Sequence, residues 1–221
     1  MEIFMKQKKI TVKRFIMAAS GTSICAACVG ILNVAAFGVD PFQCFSMGVY
    51  IPFQKMGMSY GMFWPVVSAL FLVAVFLLDK HYIGFGTVVN LAVSGYIIEW
   101  VETGLTYILT DSPAVWIRVI LLIITLFLIS AGASIYFVAD LGVSAYDGIA
   151  LAVSDKKPKL FGRVIPFRIM RIITDIGCVI VGFLFGKMPG VGTILTAFFM
   201  GPLIDWFNRH LSRPLLYGKE S

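Results

Sequence analysis

Charged side chains are scarce in this sequence. Only 14% of its 221 residues are Asp, Glu, Lys or Arg, whereas soluble domains carry roughly 25%. Hydrophobic residues make up 59% of the chain, and the mean hydropathy is +0.90. Several apolar runs approach twenty residues, which is enough to cross a bilayer core of about 30 Å as a helix. The composition excludes a soluble domain and predicts a polytopic membrane protein.

The apolar runs also lack alternation between apolar and polar residues. The strands of a membrane barrel alternate in this way over about ten residues. The absence of this alternation excludes a transmembrane barrel, and the expected fold class is therefore all-α.

Histidine and cysteine are scarce, and the familiar catalytic and metal-binding patterns are missing. The two histidines, His81 and His210, both lie at the ends of apolar runs. Cys25 and Cys28 form a C-x-x-C pair inside an apolar run, without a second pair. They fit small, apolar-like residues of a helix interior better than a thiol or metal site. The sequence predicts no enzyme, no bound metal and no cofactor.

Six segments are long and apolar enough to be predicted as transmembrane helices. They are residues 14–37, 62–79, 84–104, 114–139, 166–187 and 190–208. Two short segments, 40–55 and 143–154, are predicted as re-entrant or interfacial helices, because the second is too short to cross comfortably. An arrangement with eight crossings also remains open, since it satisfies the distribution of charge about as well.

The basic residues fall mainly on one side of the six-span arrangement. The basic N-terminus (1–13), residues 80–83, residues 140–165 and the tail (210–221) share that side. Together with the adjoining ends of the spans, which carry Arg14, Arg168, Arg171 and Arg209, it collects fifteen of the eighteen Lys and Arg residues. The positive-inside rule makes this side cytoplasmic. We therefore expect both termini in the cytoplasm, and we interpret the net charge of +6 as a topology signal and not as a sign of nucleic-acid binding.

The second half of the chain repeats the first. GVDPFQCFSMGVY (38–50) aligns with GVSAYDGIALAVS (142–154), and GFGTVVNLAVSGYIIEW (84–100) aligns with GVGTILTAFFMGPLIDW (190–206). The repeats are expected at 14–107 and 114–209, each with three spans and a short helix. Three crossings per half invert the second copy relative to the first. Inverted repeats with short or broken helices are typical of secondary transporters, whose sites lie near the midplane between the repeats.

The same motifs carry a family resemblance. LGVSAYD (141–147) and PGVGT (189–193), with GPLIDWF (201–207), resemble the YczE/YyaS/YitT-type integral membrane proteins, closest to the YczE-like branch. In place of the Pro and Trp of the family pattern Gly-Val-Ser-Pro-Trp-Asp, this chain has Ala145 and Tyr146. The resemblance covers essentially the whole chain. It implies a bacterial inner-membrane protein and no particular substrate.

Asp147 is the first candidate for binding a solute. An acidic side chain at the bilayer centre costs about 2.5–3.5 kcal/mol on insertion scales, so it favours a functional role. The alternative is that Asp147 only completes a capping box at the start of its own helix. Further solute-binding candidates are polar residues of the short helices and of the Gly-x-Gly-Thr helix starts. They are Ser144, Tyr146, Gln43, Asp40, Asn90, Thr196, Thr87 and Thr193.

Asp175 and Arg171 form a second candidate site, for coupling to an ion or a proton. They are four residues apart, which places them on one face of a helix where opposite charges can meet. A simple intrahelical ion pair is the alternative interpretation.

The sequence predicts a small secondary transporter or permease for an unidentified small polar or anionic solute. The alternative is a non-transporting partner or scaffold subunit that assists a biosynthetic or export complex. The expected partners are the lipid bilayer and a small-molecule solute, with a homo-oligomer as a further possibility and no nucleic acid.

Overall fold

The backbone of this protein is helical along most of its length. The computed structural model describes residues 2–58, 60–109, 113–156, 159–160 and 163–218. The helices are α1 (Glu2–Ala35), α2 (Pro41–Lys55), α3 (Tyr60–Asp79), α4 (Phe85–Leu109), α5 (Val115–Ala139), α6 (Ala145–Asp155), α7 (Phe167–Leu184), α8 (Val191–Phe207) and α9 (Arg213–Tyr217). A 3-10 turn follows α3 at Lys80–Tyr82, and a π-helical turn follows α8 at Asn208–Ser212.

Within the described residues, the structure contains one small antiparallel hairpin that the sequence did not predict. Strands β1 (Lys159–Leu160) and β2 (Arg163–Val164) have two residues each and pair in the basic loop between α6 and α7. The expected all-α class therefore holds for the fold, with this hairpin as a local exception.

Helices α1 and α5 pack against each other in antiparallel orientation through small residues. A Cβ atom on Gly21 would lie 2.7 Å from the carbonyl oxygen of Gly132, so only glycine permits this approach. The Cys25 thiol lies 3.5 Å from the carbonyl oxygen of Ile129. Near the other end of the pair, the Arg118 Nε donates to the carbonyl oxygen of Ala35 at 2.7 Å. Residue numbers rise along one helix as they fall along the other, which defines the antiparallel arrangement.

Both α1 and α5 end in the same left-handed turn. Ala36 and Asp140 follow the helix ends with φ angles of 52° and 56°, and Gly38 and Gly142 have φ angles of 121° and 96°. Glycine adopts positive φ without steric cost, which explains the Gly-Val pattern at these points. The short helices α2 and α6 begin directly after these turns.

Each Gly-Val turn is held by the Gly-x-Gly-Thr segment of the other half. The Gly86 amide donates to the carbonyl oxygen of Leu141 at 2.7 Å, and the Gly192 amide donates to that of Phe37 at 2.8 Å. A Cβ atom on Gly86 would lie 2.2 Å from the carbonyl oxygen of Gly142. The starts of α4 and α8 are therefore locked onto the turns after α5 and α1 by equivalent contacts.

The short helices pack crosswise onto the other half as well. Helix α2 lies against α7 and α6 lies against α3, and a Cβ atom on Gly182 of α7 would lie 2.5 Å from the carbonyl oxygen of Cys44 of α2. With 15 and 11 residues, α2 and α6 extend about 22 Å and 16 Å at 1.5 Å per residue. Both are shorter than the roughly 30 Å of a bilayer core.

The described C-terminal segment packs onto the helix bundle, and the N-terminal residues from Glu2 continue α1. The basic N-terminal residues belong to α1, which begins at Glu2. In the C-terminal segment, Leu216 is buried against Met17 and Ala139, and the Ser212 hydroxyl lies 2.5 Å from the Ser134 hydroxyl. The predicted tail at 210–221 is therefore helical and docked over 210–217.

Within the part of the chain that the structure describes, two helices are both long and apolar enough to cross a membrane, residues 11–35 of α1 and Val115–Ala139. They are also the antiparallel pair described above. Helix α7 carries Arg168, Arg171 and Asp175 within its 18 residues, and α8 has 17 residues, whereas a spanning helix needs about 20 predominantly apolar residues. These two helices indicate a membrane protein, while the arrangement with six spans remains a prediction.

Candidate functional site

The first turn of α6 is capped by Ser144, the N-cap residue that its sequence predicts. Ser144 precedes the helix with extended backbone angles, φ −60° and ψ 152°. The Asp147 amide donates to the Ser144 hydroxyl oxygen at 3.1 Å, and the Ser144 hydroxyl donates to the Asp147 carboxylate at 2.7 Å. This reciprocal arrangement satisfies one orphan amide of the helix start. Ser144 is therefore the cap of α6, and the Asp147 carboxylate accepts from the hydroxyl of this cap residue.

Asp147 also takes part in a network that goes beyond a cap. Its carboxylate accepts hydrogen bonds from the Tyr136 hydroxyl of α5 and from the Arg171 guanidinium of α7. Asp147 is 7% exposed and Arg171 is 3% exposed. Burial of an ion pair is tolerated only where hydrogen bonds satisfy the charges. Asp147 thus joins three helices through one buried carboxylate.

Arg171 binds a second carboxylate, that of Asp175, one turn further along α7. The Arg171 Nε lies 3.2 Å from the Asp175 carboxylate, and Asp175 is fully buried. The hydroxyl of Tyr146 on α6 donates to the same carboxylate. The Arg171 guanidinium lies over the Tyr146 ring, 4.6 Å from its centroid, which is the distance of a cation–π contact.

The network has an excess of negative charge. Two carboxylates, Asp147 and Asp175, share the single guanidinium of Arg171. A buried net charge is costly unless it is compensated by a partner. The arrangement therefore favours the uptake of a positive charge, as a proton or as a cationic group.

Five of the residues that the sequence predicts for the site lie in contact with one another in the structure. Ser144, Tyr146, Asp147, Arg171 and Asp175 form the buried network. The two further candidates on the first short helix lie at its start. Asp40 caps α2 by accepting from the amides of Phe42 and Gln43, and the Gln43 side-chain oxygen is buried without a hydrogen-bond partner in the described part of the chain.

The threonine candidates lie elsewhere and bind backbone. The Thr87 hydroxyl donates to the carbonyl oxygen of Val143 at 2.7 Å, and the Thr193 hydroxyl donates to that of Val39. Thr196 is bonded within its own helix, to the carbonyl oxygens of Gly192 and Thr193. Asn90 is half-buried on α4. These contacts assign the three threonines to holding the turns and helix starts.

Sequence reasoning missed two aromatic members of the site, Tyr136 and Phe42. Tyr136 lies in the apolar run of α5, where a tyrosine is easily interpreted as core. Phe42 stacks on Tyr146, with ring centroids 4.9 Å apart. A usable signal did exist, because Phe42 and Tyr146 occupy matching positions in the aligned repeats.

An apolar cavity of about 220 Å³ adjoins the network. The lining residues come from α2, α3, α6 and α7 and are mostly aromatic or aliphatic. They are Phe45, Phe71, Tyr146, Ile149, Thr174, Gly177, Cys178 and Val181. Tyr146 is the member that the cavity shares with the ion network.

A second polar cluster ties the 3-10 turn to the ends of α5 and α6. The His81 ring lies 2.8 Å from the Asp140 carboxylate, and Arg14 of α1 lies 4.0 Å from it. The Tyr82 hydroxyl donates to Asp155. Burial, followed by this bond to a carboxylate, raises the pKa of Tyr82 above its ordinary value of 10.0. The hydroxyl therefore stays a hydrogen-bond donor at neutral pH.

Comparison with known proteins places the chain in a family. Residues 12–209 match the model of a family of unknown function, DUF6198, and the chain belongs to that family. An uncharacterized protein of Haemophilus influenzae is 25% identical over 187 residues, which cover 83% of this chain and 78% of that protein. No solved structure matches the chain.

Proposed function

We propose that this protein is a non-enzymatic secondary transporter or permease for a small polar solute, with its site at the buried network of Asp147, Arg171 and Asp175. The observation that carries the proposal is the excess of carboxylate over guanidinium in this network. Ionisable side chains inside a membrane are rare and mark substrate or ion pathways. A protein that only held a complex together would have no need for them at that depth.

The antiparallel contact of α1 with α5 supports inverted repeats. These helices begin the two halves and make equivalent contacts, and both are apolar enough to span a membrane. If both span, one runs outward and the other inward, so an odd number of crossings per half is required. Six spans with short α2 and α6 helices meet that requirement, and eight spans do not. Inverted repeats with short helices near the midplane are typical of secondary transporters.

The outer surface of the bundle supports a multi-pass location. Large apolar side chains are widely exposed on α4 and α5, among them Leu91, Ile123 and Phe127 at 50%, 51% and 50%. Apolar patches of this extent mark contact with a membrane or a partner. We infer a bacterial inner-membrane protein with both termini in the cytoplasm, where the basic residues collect, and a relationship to the YczE/YyaS/YitT-type proteins.

The charge of the network constrains the solute and its coupling. A neutral polar solute can bind beside the network without changing its charge. An anionic solute would have to take Arg171 from one carboxylate, and that carboxylate would then require a proton or a cation, since an unpaired buried charge is costly. Asp175 and Arg171 are therefore the coupling residues of the proposal, because an anion would move together with a proton, whereas a cationic solute would itself compensate the excess carboxylate.

Thermal stabilisation of the purified protein tests this function. A panel of small polar, anionic and cationic metabolites is screened on the wild type and on the Asp147→Asn variant, and hits are then tested for uptake into proteoliposomes. Asp205→Asn is the matched control, because Asp205 pairs with Arg209 on the surface. A solute that stabilises the wild type and Asp205→Asn, and is taken up by both but not by Asp147→Asn, supports transport. If no solute acts and a second protein copurifies in fixed ratio, the scaffold alternative replaces this proposal.

A further inference from the structure

We propose that the cavity beside Phe45, Phe71 and Tyr146 binds a small amphipathic organic cation, whose charge is compensated by the excess carboxylate of Asp147 and Asp175. This inference rests on the proposed function, because it names the chemical class of the solute. It commits the cavity to one kind of ligand, an ammonium-type group that carries a compact apolar part.

Charge complementarity is the first argument. Asp147 and Asp175 are nearly or fully buried, and both depend on Arg171 for their positive partner. A cationic ligand would neutralise the remaining negative charge without displacing any ion pair. An anion would add to that charge, and a neutral apolar ligand would leave it uncompensated. Burial of a charge is stabilised by pairing, so the network selects for a cation.

The shape and lining of the cavity provide the second argument. Phe45 and Phe71 meet edge to face with centroids 5.5 Å apart and form an aromatic wall. Aromatic faces attract cations, and quaternary ammonium groups are recognised in this way. A volume of about 220 Å³ lies below the roughly 300–1,000 Å³ of ordinary ligand pockets. The ligand is therefore small and has an apolar part that fits aliphatic and aromatic walls.

Tyr146 connects the apolar cavity to the ions. Its ring lines the cavity, while its hydroxyl donates to Asp175. A cation in the cavity can replace the Tyr146 hydroxyl as the partner of Asp175. Tyr146 is therefore a positioning residue at the boundary between the two parts of the site.

A second cavity of about 360 Å³ gives an entry route from the outer surface. It shares Phe71 and Ile149 with the first cavity and extends along α3 past Leu70 and Leu77. Leu70 and Leu77 are 66% and 76% exposed, so this end opens on the apolar surface of the bundle. An amphipathic cation can partition into lipid and reach the site from that side.

Binding of benzyltrimethylammonium to the purified protein in detergent micelles tests the inference. Titration calorimetry, with empty micelles subtracted, is run beside the same titration with neopentylbenzene, the uncharged ligand of the same shape. We expect saturable binding of the cation and at least tenfold weaker binding of the neutral ligand. Equal binding of both, or no saturable binding of the cation, overturns the inference.

Three variants locate the site. Asp175→Asn and Asp147→Asn should each weaken binding of benzyltrimethylammonium at least tenfold, whereas the surface control Asp205→Asn should stay within twofold of the wild type. Ile149→Phe fills the cavity from α6 and leaves the ion network intact, so it should also weaken binding at least tenfold even where an acidic variant folds poorly. Wild-type affinity in Ile149→Phe places the cation elsewhere and overturns the inference.

Uptake of the same cation into proteoliposomes separates this inference from the proposed function. Binding that depends on Asp175 but is not accompanied by uptake means that the site is correct and transport is wrong. The opposite result is also informative. If the protein takes up a different solute, if that uptake depends on Asp147, and if benzyltrimethylammonium does not bind, then transport is correct and the inferred solute class is wrong.

Discussion

Phe42 and Tyr146 stack on each other with ring centroids 4.9 Å apart and planes inclined by 14°. Each is the second residue of a short helix, α2 or α6, and each follows a left-handed turn and an N-cap residue. The two residues occupy matching positions in the aligned repeats, so this contact joins equivalent positions of the two halves. The site is nevertheless asymmetric, because Tyr146 binds Asp175 and Arg171, whereas Phe42 has no hydroxyl. One half supplies the charges, and the other supplies an apolar wall.

Arg171 should be the most stability-sensitive member of the network. Arg171→Met removes the cation shared by two buried carboxylates, and removal of one partner from a buried pair costs about 3–5 kcal/mol. Asp147→Asn should cost clearly less, because Arg171 keeps Asp175 as its partner. Denaturation in mixed micelles, monitored by circular dichroism, gives the order of the two losses in the free energy of unfolding.

The double variant is the control for this order. Adding Asp147→Asn to Arg171→Met removes one of the two unpaired carboxylates, so the double variant should be more stable than Arg171→Met alone. Coupling of this kind between residues in contact is expected. Simple addition of the two losses would contradict a shared network.

Two substitutions separate the roles of Asp147 as a hydrogen-bond acceptor and as a charge. Asp147→Asn removes the charge but keeps an acceptor for Ser144 and Tyr136, whereas Asp147→Ala removes both. We expect solute binding to fall at least tenfold in each variant, because the lost charge acts in a low dielectric. Only the alanine variant should also lose stability through the two missing hydrogen bonds, at about 0.5–1.5 kcal/mol each. The Ser144 cap stays in both variants, because it accepts from the backbone amide of residue 147. If the asparagine variant binds like the wild type and only alanine is impaired, the role of Asp147 is structural.

The close crossing of α2 and α7 should not tolerate a methyl group. In Gly182→Ala the new Cβ atom would lie 2.5 Å from the Cys44 carbonyl oxygen, so the two backbones must separate. Overpacking of this kind costs about 1–3 kcal/mol, against a gain in helix propensity of at most about 1 kcal/mol. The control is Gly104→Ala on α4, where nothing lies within 4 Å of the new atom. The melting temperature should fall for Gly182→Ala and stay level or rise for Gly104→Ala.

The turns, the short helices and their caps could be predicted from the sequence because local residues determine them. Glycine at positions 38 and 142 is required by positive φ angles, and Ser144 is a local N-cap that accepts from the Asp147 amide. The pairing of Arg171 with Asp175 is also local, one turn apart on α7. These features need no knowledge of how the helices are rotated about their axes.

The partners across helices could not be predicted in the same way. The contacts of Asp147 with Tyr136 and Arg171 depend on the rotation of α5 and α7 relative to α6. Apolar helices in lipid give a weak signal for that rotation, since apolar residues face both the protein and the membrane. For the same reason the sequence did not predict that Thr87 and Thr193 bind the backbone of the opposite turns. Solute binding by these two residues stays a prediction.

The inverted topology predicts that residues 56 and 156 lie on opposite sides of the membrane. Met56 follows α2 and is 81% exposed, and Lys156 follows α6 and is also exposed. With six spans, α2 and α6 do not cross the membrane, so residue 56 lies outside and residue 156 lies in the cytoplasm. With eight spans, both residues lie in the cytoplasm. Single cysteines at these positions, Met56→Cys and Lys156→Cys, are placed in a background with the four native cysteines replaced by alanine.

Labelling of intact cells with a membrane-impermeant maleimide distinguishes the two topologies. We expect Met56→Cys to react in intact cells and Lys156→Cys to react only after permeabilisation. The antiparallel contact of α1 with α5, in which Arg118 reaches Ala35, requires this result if both helices span the membrane. Protection of both cysteines until permeabilisation would mean parallel halves. In that case one of the two helices, α1 or α5, would not cross the membrane, because helices that both cross in parallel halves run in the same direction. The proposed transport path between inverted halves would then be wrong.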